Sequence, residues 1–243
     1  MTQLLCPARK NILFDLDGTL LPMDMDQYIQ IYFGGLAEKM SDLPGEMIPG
    51  MLWEGIVAMM KNNGPRTNRE VFAEKFTAIT GRDYYAGEAA FEEFYETLYQ
   101  RCLAACQPTE TAAQIVETLQ KKGYTVVVAT SPLYPPVATR SRINWAGLEK
   151  FEFPLITTFH DFHTAKPNPN YYLEVCEKLK VKPEDCVMVG NDVEEDGAAR
   201  VAGMDVILVT DCLINKKNLP VEGFYPATLS DVLTWAQQLP SLV

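Results

Sequence analysis

Four short, largely apolar runs constrain this chain more than anything else in it. They cover residues 12–14, 124–129, 186–189 and 205–209. The second, Tyr-Thr-Val-Val-Val-Ala, is an unbroken β-branched stretch of the kind found in central parallel strands buried on both faces. Amphipathic helical segments at 109–122, 136–146, 170–180 and 228–238 follow or separate these runs. Strands alternating with helices predict a parallel sheet covered on both faces. A short strand near 155–158 and a helix over 196–202 complete the expected pattern. In such a sheet the groups that meet a ligand stand at the carboxyl ends of the strands.

Between residues 22 and 107 the character changes. Apolar residues recur at helical spacing over 25–40 (Tyr28, Ile31, Tyr32, Leu36, Met40), and a Pro- and Gly-bearing break follows at 41–50. Helices are predicted at 51–60, at 67–80 and at 86–105. The helix at 67–80 opens with capping-box chemistry at Thr67-Asn68-Arg69-Glu70 and stops at Gly81. No β pattern interrupts this stretch, so it reads as a helical insertion. Its aromatic and Met-rich positions read as a helical core, with Trp53, Tyr84 and Tyr85 also able to line an apolar pocket.

A length of 243 residues suits one α/β domain with an insertion, and 47% hydrophobic residues supply a sizeable core. The formal net charge of −11 disfavours nucleic acid phosphates as partners. It leaves room for a small phosphorylated substrate, because local cations decide that question. No apolar stretch approaches the ~20 residues of a membrane helix, and residues 1–10 carry no apolar signal core. No membrane partner and a cytoplasmic location are therefore expected. The six cysteines are scattered and suggest no disulfide framework. Cys102 and Cys106 stand one helical turn apart and read as small buried residues. The only two histidines, His160 and His163, read as loop positions.

The strand ends carry the chemistry. The first run ends on Asp15 and Asp17, with Gly18-Thr19 directly after. Two acids this close repel unless a cation or a proton lies between them. The second run ends on Thr130-Ser131, the loop before 170 holds Lys166, and the run at 186–189 leads into Gly190-Asn191-Asp192 with Asp196 beyond. The carboxylates suit a hard, oxygen-liganded cation such as Mg²⁺. A hydroxyl and an ammonium suit the oxygens of a transferring phosphoryl group. Metal-assisted phosphoryl transfer with a carboxylate nucleophile is the chemistry these residue types predict.

The order Asp-x-Asp-Gly-Thr-Leu, strand-Thr, Lys-Pro-x-Pro and strand-Gly-Asn-Asp-x-x-x-Asp resembles the four motifs of the haloacid dehalogenase superfamily. The resemblance runs from Ile12 to about Thr210. It implies a Rossmann-like parallel sheet with helices on both faces, formed by residues 1–21 and 108–243, plus an inserted all-helical cap at 22–107. It further implies a Mg²⁺-dependent phosphatase of a small phosphorylated metabolite, working through an aspartyl phosphate. In that reading Asp15 is the nucleophile and Asp17 the general acid and base. Thr130 and Ser131 hold phosphoryl oxygens, and Lys166 neutralises charge. Mg²⁺ is held by Asp15, by the Asp17 carbonyl and by Asp192, while Asp196 sits behind them or holds Lys166.

Many relatives read Gly-Asp-Ser where this chain reads Gly190-Asn191-Asp192. Either Asn191 or Asp192 can therefore match the metal position, and the anionic Asp192 is preferred. Glu194 and Glu195 read as a solvated helix start. Dehalogenases lack an acid two residues after the nucleophile, because a halide leaves without a proton, so Asp17 favours phosphoryl chemistry. Two rivals remain: a phosphomutase of the β-phosphoglucomutase type and a non-catalytic phospho-ligand binder. A mutase needs cap cations for a second phosphate, for which Lys39, Lys61, Arg66, Arg69 and Lys75 are available. Arg66 and Arg69 are the predicted cap contacts to substrate.

Overall fold

The computed structural model describes residues 5–45 and 47–243. Residues 1–4 of the expected core segment and Glu46 of the expected break lie outside these. A five-stranded sheet is built from β1 (Asn11–Phe14), β2 (Thr125–Val128), β3 (Cys186–Gly190), β4 (Asp205–Val209) and β5 (Tyr225–Ala227). All neighbours are parallel, in the order β2-β1-β3-β4-β5. This is the parallel, helix-covered sheet that the sequence predicts. Strand alternation assigns the layers. Ile12, Phe14, Val126, Val128, Val187 and Val189 belong to one buried cluster, whereas Leu13, Val127, Met188 and Val206 belong to the other.

Register brings the functional edge together. Phe14 lies opposite both Val128 of β2 and Val189 of β3. Asp15, the 129–131 turn and Gly190-Asn191 therefore leave the sheet at one level. Helices α5 (Glu110–Lys121), α6 (Pro136–Trp145), α7 (Pro169–Leu179) and α8 (Leu229–Gln238) accompany the strands.

The helical stretch holds α1 (Met25–Lys39), α2 (Met47–Met60), α3 (Asn68–Thr80), α4 (Tyr84–Glu96) and a 3-10 helix over Leu98–Ala105. Asp24 and Asp83 cap α1 and α4, and the Thr67/Glu70 capping box forms at α3. The chain leaves and rejoins the sheet side by side. Met23 bridges Cys106 in antiparallel fashion, Asp24 N donates to Ala105 O at 2.9 Å, and Gln107 N donates to Pro22 O at 2.7 Å. Tyr28, Leu52, Phe72, Phe94 and Tyr99 of this stretch are continuous with one face of the sheet core.

Five details differ from the sequence expectation. Helix α2 begins at Met47 rather than 51, with Pro49 in its first turn, where a missing N–H costs nothing. The expected helix over 86–105 breaks at Thr97, whose hydroxyl turns back onto Glu93 O at 2.6 Å. The expected strand at 155–158 shrinks to one bridge between Ile156 and Val128, and the Thr157 hydroxyl takes Thr130 O instead. The helix expected over 196–202 is a single 3-10 turn, Gly197–Arg200, because the Asp196 side chain is drawn inward. β5 leaves no strand signal in the sequence because it is three residues long and contains Pro226, which an edge strand tolerates.

All six cysteines are free thiols. Cys102 is buried and Cys106 half-buried. Among the described residues no helix is long and apolar enough to cross a membrane.

Candidate active site

The centre of the sheet edge is an ion triad. Lys166 is buried, and its Nζ donates to Asp15 Oδ1 at 2.8 Å and to Asp196 Oδ1 at 2.6 Å. Asp196 Oδ2 accepts the N–H of Asp192 at 2.9 Å. A Cβ at position 190 would overlap the Asp196 carboxyl, so only glycine lets this carboxylate reach Lys166 at the end of β3. The loop before Lys166 is anchored by Glu174. That carboxylate accepts the His163 N–H at 3.1 Å and the Thr164 hydroxyl at 2.8 Å, and it lies 2.9 Å from His163 Nδ1. Asn168 then caps α7.

Burial sets the electrostatics. It pushes the Asp15 carboxyl up, Lys166 pulls it back, and Asp196 and Asp17 push it up again, leaving it raised to about 7. Burial draws Lys166 down, but Asp15 and Asp196 more than offset that and hold the ammonium well above its ordinary value. Two carboxylates thus converge on one permanent cation. Glu195, expected as solvated, joins this field: it is half-buried and its carboxyl is pushed up to about 8 by burial. Glu194 does face out, onto Lys217 at 2.5 Å.

Thr130 is buried at the end of β2. Its carbonyl accepts from Thr157 Oγ1 at 2.5 Å and from the Tyr171 hydroxyl at 3.0 Å, which fixes the turn. Ser131 Oγ is buried with no hydrogen-bond partner. An orphaned hydroxyl at a strand end costs free energy until an acceptor reaches it.

Asp17 has a partner that the sequence did not announce. Its Oδ2 accepts from Nη1 of Arg142, a fully buried residue of α6. The guanidinium lies 4.3 Å from the centre of the Tyr134 ring. Asp17 Oδ1 is buried without a partner. One signal could have exposed Arg142. Spacings of three and four residues place it on the same side of the helix as buried Ala138 and Thr139.

Asn191 and Asp192 play different parts. Asn191 is buried against Gly18; its Oδ1 accepts the Thr19 hydroxyl at 2.9 Å, and its Nδ2 donates to Cys212 O at 2.7 Å. Gly18 has φ +80, and a Cβ there would collide with the Asn191 amide. Asp192 Oδ1 instead accepts the N–H groups of Glu194 (2.8 Å) and Glu195 (2.9 Å), closing its own loop. Among the described residues no three His, Cys, Asp or Glu side chains gather as a ready metal cage. The oxygen-rich edge nevertheless fits a hard cation. Asp15 is crowded by two other carboxylates and raised by burial, the condition that a nearby cation relieves.

The haloacid dehalogenase-like hydrolase profile matches residues 9–203. The chain belongs to that family. Among relatives of this hydrolase, the phosphoglycolate phosphatase of Nitrosospira multiformis is 25% identical over 202 residues, which is 82% of either chain. The HAD phosphatase structure from Thermococcus onnurineus superposes with a TM-score of 0.59 at 21% identity, covering 93% of this chain and 96% of that one. The HAD-hydrolase YfnB of Bacillus subtilis, solved bound to magnesium, gives 0.56 at 19% identity, covering 88% and 93%.

The predicted cap contacts of this dehalogenase-family hydrolase are already engaged. Arg66 pairs with Glu74, and Arg69 makes a two-pronged pair with Glu88 while lying 4.8 Å over the Tyr85 ring. Lys39 pairs with Glu93 at 2.6 Å and Lys75 with Glu54 at 2.8 Å. Between the helical stretch and the 133–135 turn lies a cavity of about 70 Å³, lined by residues including Tyr32, Phe72, Tyr84, Tyr95 and Tyr134 and by no charged side chain. A wider groove of about 420 Å³ adjoins it, lined by Glu88, Glu92, Glu96 and Arg140. Trp53 lies outside both, 61% exposed.

Proposed function

We propose that the chain is a phosphoric monoester hydrolase that acts on a small phosphorylated metabolite through an aspartyl-phosphate intermediate. The buried Asp15–Lys166–Asp196 triad carries this reading, with Thr130 and the orphaned Ser131 hydroxyl at the same edge. An Asp15 carboxylate oxygen bonds to phosphorus while the ester P–O bond breaks, its electron pair staying on the departing oxygen. Asp17 gives that oxygen a proton, and the alcohol leaves. Asp17 then takes a proton from water as the water oxygen bonds to phosphorus, the acyl-phosphate P–O bond breaks, and Asp15 is restored with release of phosphate. Lys166 holds charge on Asp15 and the phosphoryl oxygens throughout, and Thr130 and Ser131 donate to those oxygens.

Mg²⁺ is the cation this donor set suits. Asp15, the Asp17 carbonyl and Asn191 are the residues we assign to hold it, because Asn191 rather than Asp192 lies against the first loop. Bound there, it would supply charge neutralisation between nucleophile and phosphoryl group. In a metal-holding role Asp192 would act through its loop, which positions Asp196.

The pairing of Lys39, Arg66, Arg69 and Lys75 counts against a mutase, which must grip a second phosphate. The test is phosphate release from para-nitrophenyl phosphate and a panel of metabolite phosphates, with Mg²⁺ or EDTA, for wild type and Asp15→Asn. Turnover that needs Mg²⁺ and is lost with Asp15→Asn supports the reading. Absence of turnover on every ester refutes it.

A further inference from the structure

We infer that Arg142 is the positioning residue for proton transfer: it pins Oδ2 of Asp17 and leaves Oδ1 as the oxygen that meets the leaving group and then water. The inference rests on the proposed role of Asp17 and adds a residue that none of the four motifs contains. A fully buried guanidinium is costly unless its charge is met and its donors are used. Arg142 meets both demands in one place. Nη1 donates to Asp17, Nη2 donates to Thr139 Oγ1 at 3.2 Å, and Nε faces Ala138 O at 3.4 Å. Its flat face rests on Tyr134.

The helical stretch contributes to the same surroundings. Tyr28 of α1 and Tyr99 of the 3-10 helix bond hydroxyl to hydroxyl at 2.7 Å. Packing alone does not ask for this clamp, since an apolar side chain would fill the same side of α6. The geometry of Asp17 shows what the clamp achieves. A free aspartate can exchange its two oxygens by rotating about χ2, a soft torsion. Here one oxygen is held by the guanidinium, and the other, Oδ1, is buried with nothing to bond. An unpaired carboxylate oxygen of this kind is a standing demand for a proton or a donor. In the first half-reaction the proton sits on this oxygen and passes to the leaving-group oxygen; in the second, the attacking water donates to it. Holding a proton donor to one orientation is the kind of preorganisation that raises rate without adding binding contacts.

A positioning role has a signature that a merely structural role lacks. Para-nitrophenolate leaves without protonation, whereas an alkoxide requires it. We would measure kcat/KM with Mg²⁺ for para-nitrophenyl phosphate and n-butyl phosphate in wild type, Arg142→Met, Arg142→Lys and Asp17→Asn, with circular dichroism to confirm folding. Arg142→Met is expected to lower the butyl ester rate roughly 10- to 100-fold more than the nitrophenyl ester rate, part of the range that general acid catalysis supplies. Asp17→Asn should show the same selective loss, and combining the two should add little to it. Arg142→Lys, which keeps the charge and loses the fork, should fall between. If Arg142→Met does not fold, the same ratio in Arg142→Lys decides. Equal losses on both esters in a folded variant overturn the inference while leaving the phosphatase reading intact. A wild type inert on these two esters and on the whole panel of metabolite phosphates refutes the phosphatase reading itself, and this inference with it.

Discussion

Asp196 reaches Lys166 across a space that only a glycine at position 190 leaves open. The carboxyl of Asp196 occupies the volume that a Cβ on Gly190 would take. Gly190→Ala should displace Asp196, loosen Lys166 and destabilise the fold by about 1–3 kcal/mol, the usual cost of overpacking. Turnover should fall on the order of 10²-fold, as expected for a misplacement near 1 Å. Urea unfolding and phosphatase assays on one preparation check both numbers.

Removing the cation itself is harsher. Lys166→Met leaves Asp15 and Asp196 buried without a counter-charge. Breaking such a pair typically costs about 3–5 kcal/mol, so a large drop in Tm is expected together with loss of turnover. Asp196→Asn keeps the hydrogen bond and should cost less. A Lys166→Met protein as stable as wild type would contradict the ion-triad account.

The raised carboxyl of Asp15 makes a prediction for the metal-free protein. A folded-state value near 7, above the ordinary 3.8, means that the charged form is the disfavoured one. This group's contribution to stability is fully present below pH 3.8 and is lost as pH rises through about 7. In EDTA, the wild type should therefore lose stability relative to Asp15→Asn across that window. Added Mg²⁺ should flatten the difference. Urea midpoints for both proteins between pH 4 and 8 provide the measurement.

If substrate enters past Glu92 and Glu96 of the groove beside the aromatic cavity, a charge preference follows. A phosphomonoester whose organic part carries a carboxylate should have kcat/KM about 10-fold below a neutral ester of the same size, the scale of one like-charge contact near a protein surface. Glu92→Gln combined with Glu96→Gln should narrow that gap, whereas salt should narrow it in the wild type. Equal turnover of the two esters would rule out the groove as the approach route.

Residues at strand ends were legible because two signals coincide there. An apolar run says where the sheet stops, and a polar residue directly after it says what faces the ligand, as at Phe14-Asp15, Ala129-Thr130 and Gly190-Asn191. Arg142 carried no such signal: in Ala-Thr-Arg-Ser-Arg-Ile-Asn-Trp one arginine is exposed and its neighbour buried, and only the helix phase relative to the core separates them. Glu195 was masked by the acids around it, since burial is a property of the loop's path and not of its composition. Lys39, Arg66, Arg69 and Lys75 looked free because their partners lie elsewhere in the chain. Glu88 is nineteen residues from Arg69 and joins it only when α3 and α4 pack. The proposed assignment of Asn191 over Asp192 rests on which side chain faces Gly18, a matter of one residue's rotation at the end of β3.

The bridge between Met23 and Cys106 has a consequence for how such a protein diversifies. The outgoing and returning strands meet within a single hydrogen-bonded step, so the sheet experiences everything between them as it would a tight turn. The length and helical content of that excursion are invisible to the strand register. A different helical module, spliced at the same two points, would give the same reaction centre a new set of walls without shifting a strand. Chemistry and selectivity can thus be inherited separately along this chain.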